Sequence, residues 1–211
     1  MSKKLHVLDH SLADHAIKTL RDKDASPEQF RSAILRLTML LTVQATQRLP
    51  LRNQTVETPL TEAKAKVLDC RVGIVPILRA GLCMVDPLLH LLPEAEVWHL
   101  GFYRDEQTLE PITYYQKLPP NAPVDVAYVL DPMLATGGSA CAALDVVKNW
   151  GVTDISFLGM LAAPEGIQAV QEQHPDVPLY LACVDDYLNQ QGYIVPGLGD
   201  AGDRAFNAAA R

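Results

Sequence analysis

The sequence predicts an α/β fold with a mostly parallel central sheet flanked by helices. Three observations carry that expectation. From about Arg71 onward, short apolar runs alternate with helical stretches, and such alternation implies parallel strands joined by right-handed crossovers. The runs Val72–Leu78 (VGIVPIL) and Val124–Leu130 (VDVAYVL) are almost unbroken in apolar residues, as in strands buried on both faces. Between them and the next helix stands Val129–Ala140 (VLDPMLATGGSA), a strand that turns through Gly137-Gly138 into a helix. Ligands of such sheets bind at the carboxyl ends of strands. The loops to search therefore follow VGIVPIL, VDVAYVL, DISFLGMLAA and PLYLACV.

The chain has 211 residues, enough for a single domain. An N-terminal helical segment is expected over about residues 1–50. Leu12, Ala16 and Leu20 recur at helical spacing. Ser26-Pro27-Glu28-Gln29 reads as a helix start, with Ser26 as N-cap, Pro27 at the first position and Gln29 completing a capping box. Phe30, Ile34, Leu37, Leu41 and Ala45 mark one face of the long helix that follows. Beyond Arg71 come VGIVPIL, the helical GLCMVDPLLHLL and the strand-like EVWHLGFY. Arg104–Leu118 (RDEQTLEPITYYQKL) is charged at first and β-prone at Ile112–Tyr115, which predicts a projecting β-arm over about 104–118. After VDVAYVL, the helix GGSACAALDVVKNW closes at Gly151. DISFLGMLAA, a helix from about Pro164 to His174, and PLYLACV complete the alternation.

Composition narrows the function classes. The net charge of −7 argues against nucleic acid as a partner, because a basic face supplies most of that affinity. No apolar run reaches the roughly 20 residues of a membrane span. The start, MSKKLHVLDHSLADH, has two lysines but no apolar stretch behind them, unlike a signal peptide, so a cytoplasmic location is expected. Cys70, Cys83, Cys141 and Cys183 form no C-x-x-C and read as reduced, small core residues. His6, His10 and His15 have irregular spacing and suit a surface or helix face better than a metal.

The turn at Val129–Ala140 carries the chemistry. Backbone N–H groups at a helix start are unpaired and bear partial positive charge, so they bind phosphate. Gly137 and Gly138 let the backbone approach the ligand. Thr136 and Ser139 add hydroxyl donors, and Asp131 can accept from sugar hydroxyls. A nucleoside-triphosphate loop needs G-x-x-x-x-G-K-[ST], and no lysine follows the glycines. The dinucleotide spacing G-x-G-x-x-G is absent as well. The turn is that of a sugar-phosphate enzyme.

Six stretches resemble the uracil phosphoribosyltransferase family, in family order: VPILRAGL (Val75–Leu82), YRDEQTLEP (Tyr103–Pro111), YYQKLP (Tyr114–Pro119), DPMLATGGS (Asp131–Ser139), AAPEGI (Ala162–Ile167) and GYIVPGLGDAGDR (Gly192–Arg204). The resemblance covers most of the chain after about residue 70 and is looser before it. It implies a type I phosphoribosyltransferase fold with a small C-terminal hood, over about residues 185–211, that receives the base. The implied reaction is uracil + 5-phosphoribosyl 1-diphosphate (PRPP) → UMP + diphosphate, in pyrimidine salvage. Also implied are Mg2+, held mainly through the substrate diphosphate, and a homodimer or homotetramer. By the same resemblance PRPP meets Arg79, Arg104, Asp131, Pro132, Met133, Leu134, Ala135, Thr136, Gly137, Gly138, Ser139 and Asp200. Uracil meets Tyr193, Ile194, Gly199, Asp200 and Ala201. Asp131, Arg104 and Asp200 take the catalytic roles. Some members of the family are activated by GTP, and Arg48, Arg52 and Lys64 are candidates for an effector site.

The same residues make sense physically. Arg79 ends a buried strand beside Gly81 and can fork onto a diphosphate. Arg104 opens the arm and can close over the leaving group, with Lys117 a weaker candidate. The segment GYIVPGLGDAGDR is too rich in glycine for ordinary helix or strand, and exposes backbone groups that can match the edge of uracil. Cytosine would place a donor against a donor there. Substitution at the ribose anomeric carbon relies on positioning and on stabilising the departing diphosphate. No histidine lies in these motifs, so no histidine base is expected. Pro132 after Asp131 departs from the paired acids of purine-type transferases. An orotate transferase would want an extra cation by the base, and only Arg204 is offered. A nucleotide- and RNA-binding regulator of the same fold would need a basic face. Asp186-Tyr187 departs from the family pattern beside the base segment.

Overall fold

The computed structural model describes residues 4–104, 111–121 and 123–208. In chain order the elements are β1 (Leu5–Val7), α1 (Ser11–Arg21), α2 (Pro27–Ala45), β2 (Leu51–Glu57), β3 (Glu62–Leu68), β4 (Val72–Leu78), a 3-10 turn (Ala80–Met84), α3 (Val85–Leu91), β5 (Glu96–Val97), β6 (Leu100–Arg104) and β7 (Pro111–Gln116). Then follow β8 (Val126–Leu130), β9 (Met133–Leu134), α4 (Gly138–Trp150), β10 (Asp154–Ala162), α5 (Pro164–Gln173), β11 (Leu179–Val184), β12 (Tyr187–Leu188), β13 (Ile194–Val195) and α6 (Ala201–Phe206).

The main sheet runs β1-β11-β10-β8-β4-β6-β7, with β5 beside β4 and β9 beside β10. Every pairing in it is parallel except β6 with β7. Both faces are covered, as the continuous apolar runs require. Val126, Tyr128 and Leu130 of β8 face a core shared with α1, α2, α3 and α6. Ala127 and Val129 face the other core, shared with α4 and α5. Helix α2 begins as its sequence dictates: the Ser26 side chain accepts from the Gln29 N–H, and the Gln29 side chain accepts from the Ser26 N–H. Helix α4 ends at Gly151, whose φ of 108° is the left-handed stop that glycine supplies.

Four expectations change. The N-terminal fifty residues are not helical throughout. Leu5–Val7 pair in parallel with Leu179–Leu181 at the sheet edge, and three residues carry no periodicity to read. Leu12 lies outside the buried face of α1, which is instead Ala13, Ala16, Ile17 and Leu20. Strands β2 and β3 form an exposed antiparallel hairpin that was not anticipated. The glycine-rich tail is not wholly irregular, because Ala201–Phe206 is helical and the β12–β13 pair precedes it. Within the span expected for the arm, β7 pairs antiparallel with β6, which starts at Leu100, and residues 105–110 lie outside those described. Of the four cysteines, all free, only Cys141 is fully buried.

Candidate active site

The phosphate turn is shaped by backbone pairing before any ligand enters. The Asp131 N–H donates to Leu158 O at 3.2 Å, and the Pro132 carbonyl accepts from Met160 and Leu161 at 3.2 and 3.0 Å. Met133 and Leu134 then join β10 as β9. The Asp131 Oδ1 accepts from the Met133 N–H at 3.1 Å, which fixes the carboxylate over the loop. Gly137 caps α4 with φ 87°, a conformation glycine adopts without strain. A Cβ there would also stand 2.8 Å from the Ala169 Cβ. The first α4 N–H groups face out of the helix start, where phosphate would sit. Pro132, Leu134 and Gly137 are buried and shape the loop. Asp131, Met133, Ala135, Gly138 and Ser139 are half-buried, and Thr136 is exposed.

Gly166 went unsingled in the sequence. A Cβ on it would lie 2.4 Å from Ala135 O and 2.7 Å from Leu134 O. Helix α5 thus touches the back of the phosphate turn with bare backbone. Gly81 plays the same part for the neighbouring loop, where a Cβ would lie 2.5 Å from Leu130 O.

Arg79 stands at the carboxyl end of β4, as expected, exposed and heading the 3-10 turn. The peptide before it is cis, as is Val195–Pro196. Its guanidinium pairs with Asp203 at 3.1 Å. Arg71, at the other end of β4, is paired with Glu96 away from these loops. The backbone of Arg104 ends β6, opposite Pro111. The Arg104 side chain and the arm tip lie outside the described residues. Lys117 is exposed just past β7.

Besides the Arg79–Asp203 pair, Arg21 and Arg204 hold the base segment. Asp185, at the end of β11, accepts from both Arg21 Nη atoms and from the Gly197 N–H at 2.8 Å. Arg21 also donates to Gly197 O at 3.1 Å. Burial alone would raise the Asp185 carboxyl, but the Arg21 guanidinium and the Gly197 N–H outweigh it and hold it below the ordinary range. Arg204 donates to the carbonyls of Leu20, Asp22 and Leu198, with its guanidinium 4.4 Å from the Phe30 ring. The one cation offered to an orotate carboxylate is therefore engaged elsewhere. The Ile194 side chain is buried in the core and Tyr193 is exposed. Gly199 has φ 78°, and Ala201 is buried at the start of α6. Asp200 caps α6 by accepting from the Asp203 N–H at 2.8 Å. Asp186 and Tyr187 support this segment: the Asp186 N–H donates to Val195 O at 3.0 Å, and Tyr187 pairs with Val195.

Burial pushes the Asp131 carboxyl up to about 7, against the Met133 N–H, and the nearby charge of Asp200 raises it further. Two carboxylates, one from the phosphate turn and one from the base segment, thus share a field. They offer the hard oxygen donors that Mg2+ takes beside substrate phosphates. Among the described residues no group of three or more His, Cys, Asp or Glu could hold a metal. The site fits an Mg2+ that the diphosphate itself helps to hold. Arg48, Arg52 and Lys64 do not converge. Arg48 lines a 360 Å³ cavity with His6, Tyr128 and Tyr180, and Arg52 lines a separate one of 510 Å³. Lys64 sits on the opposite face of the β2–β3 hairpin from Arg52.

The architecture recurs among solved transferases. The adenine phosphoribosyltransferase from Leishmania donovani superposes with a TM-score of 0.59 at 12% identity, over 89% of this chain and 86% of that one. At that identity the likeness concerns the fold, which is that of the type I phosphoribosyltransferases. The AQ2163 protein from Aquifex aeolicus is much more similar, with a TM-score of 0.91, 35% identity and coverage of 98% and 100%. A family model described as uracil phosphoribosyltransferase matches residues 7–208. The uracil phosphoribosyltransferase of a Roseiflexus species is 56% identical over 95% of this chain and 96% of its own. The chain belongs to the uracil phosphoribosyltransferase family.

Proposed function

We propose that the protein transfers the 5-phosphoribosyl group of PRPP to uracil, giving UMP and diphosphate in pyrimidine salvage. The observation that carries the reading is the meeting of two ends. Arg79 of the loop after β4 pairs with Asp203 of the glycine-rich base segment at 3.1 Å, and Gly81 of the same loop packs its bare backbone against Leu130 O at the head of the phosphate turn. The bond from the anomeric carbon to diphosphate breaks, and a bond to the uracil ring nitrogen forms as that nitrogen loses its proton. Residues 131–139 hold the ribose 5′-phosphate and hydroxyls, with α4 N–H groups on the phosphate. Arg79, and Arg104 from the arm, neutralise the departing diphosphate. Mg2+, when bound, would be held mainly through that same diphosphate, with the Asp131 and Asp200 carboxylates as available oxygen donors, and would add positive charge there. Backbone groups of Tyr193, Ile194 and Gly199 to Ala201 read the uracil edge.

The same reading has the chain working as one transferase domain in the cytoplasm. No described helix is long and apolar enough to cross a membrane. It also holds that the protein is a homodimer or homotetramer. Exposed Leu51, Leu60 and Leu68 on one hairpin, and Tyr114 and Tyr115 on the other, support that. A GTP effector rests on family resemblance alone.

Purified protein given PRPP, Mg2+ and each base in turn is the direct test. UMP is expected from uracil, with no product from cytosine, hypoxanthine or orotate, and chelation of Mg2+ should abolish turnover. Absence of UMP from uracil overturns the reading. Adding GTP to the assay, and measuring mass by light scattering, decides the effector and the assembly.

A further inference from the structure

We propose that Asp203 is a positioning residue that fastens Arg79 of the diphosphate loop to the base segment. The inference rests on the reading of Arg79 as a diphosphate ligand. Asp203 Oδ1 accepts from Arg79 Nη2 at 3.1 Å, between residues 124 apart in the chain. A guanidinium presents five donors in a planar fork. The single Nη2 bond to Asp203 leaves the remaining N–H groups, those of Nε and Nη1 among them, with no other partner among the described residues and available to phosphate oxygens.

The anchor is itself fixed. The Asp203 N–H donates to Asp200 Oδ1 at 2.8 Å, in the first turn of α6. The next residue, Arg204, ties α6 to Leu198 O at 2.7 Å and to the carbonyls of Leu20 and Asp22. Helix and loop also lie close together, since a Cβ on Gly202 would stand 3.9 Å from the Ala80 Cβ. Arg79 has a side chain 60% exposed. A long, exposed arginine samples many rotamers and must give them up on binding. Asp203 removes much of that freedom beforehand, and it makes the diphosphate end and the base end of the site one unit.

The test is a double-mutant cycle on wild type, Asp203→Asn, Arg79→Ala and the double variant, with kcat and both KM values measured. Asparagine keeps the size and the backbone bond, so the thermal midpoint should stay near wild type. Asp203→Asn is expected to raise the PRPP KM about tenfold and leave the uracil KM within about twofold, while adding nothing in the Arg79→Ala background. Asp203→Glu, which restores the carboxylate, should recover part of the loss. An equal effect in both backgrounds, no effect, or a lower PRPP KM would each overturn the proposal. The last would mean that the carboxylate competes with diphosphate for Arg79. An Arg79→Ala enzyme with an unchanged PRPP KM would instead overturn the assignment of Arg79, which distinguishes the two failures.

Discussion

Asp131 is stabilised for its place and not for its charge. Burial pushes its carboxyl up to about 7 and the charge of Asp200 adds to that, with the Met133 N–H opposing both. An unfolded aspartate titrates near ~3.9. The folded chain therefore holds the proton more tightly. The stability tied to it is complete below the ordinary carboxylate value and is lost as pH rises through about 7. Asp131→Asn keeps an oxygen for the Met133 N–H and removes the charge. It should raise the thermal midpoint by roughly 2–6 °C more at pH 8 than at pH 5, while turnover falls sharply. Calorimetry at the two pH values checks this, and equal shifts would contradict it. Asp131, Gly137 and Ser139 were legible in the sequence because strand, glycines and helix follow one another in a dozen residues. Asp203, Asp185 and Arg21 were not, since each acts through a partner more than a hundred residues away.

At the scale of the element, the phosphate turn is gripped from behind by α5. Alanine in a helix ordinarily exceeds glycine in stability by about 1 kcal/mol. At Gly166 the sign should reverse, because the new methyl would meet the carbonyls of Ala135 and Leu134. Gly166→Ala is expected to destabilise by about 1–3 kcal/mol and to raise the PRPP KM at least several-fold with little change for uracil. Urea titration and steady-state kinetics give both numbers, and a stabilised, fully active variant would refute the account. The regular βαβ elements were readable from apolar runs and caps. The β2–β3 hairpin was missed because its strands bury so little: β2 is exposed at nearly every position. Helix α6 was missed because its two glycine neighbours hide a six-residue helix that depends on the Asp200 cap and on Arg204.

At the scale of the whole molecule, α1 and the C-terminal segment are one assembly. Asp185 has a side chain 1% exposed, against 27% for Arg21. Breaking such a pair from one side typically costs about 3–5 kcal/mol. Asp185→Asn should therefore lower unfolding stability by about 3 kcal/mol and weaken uracil binding more than PRPP binding. The Asp185 carboxyl is held low, so its contribution is present above the ordinary carboxylate value and is lost as pH falls through the depressed one. The gap between wild type and variant should close in acid, as denaturant melts at pH 7 and pH 3 would reveal. Sequence patterns reach the sheet and both of its faces, but this long-range closure is visible only in three dimensions. It also sets an order of events in the cell. Arg204 docks on a carbonyl 184 residues earlier, so this contact forms only after residue 204 has emerged from the ribosome. A nascent polypeptide would thus present its cradle for the sugar phosphate before it could seat a base.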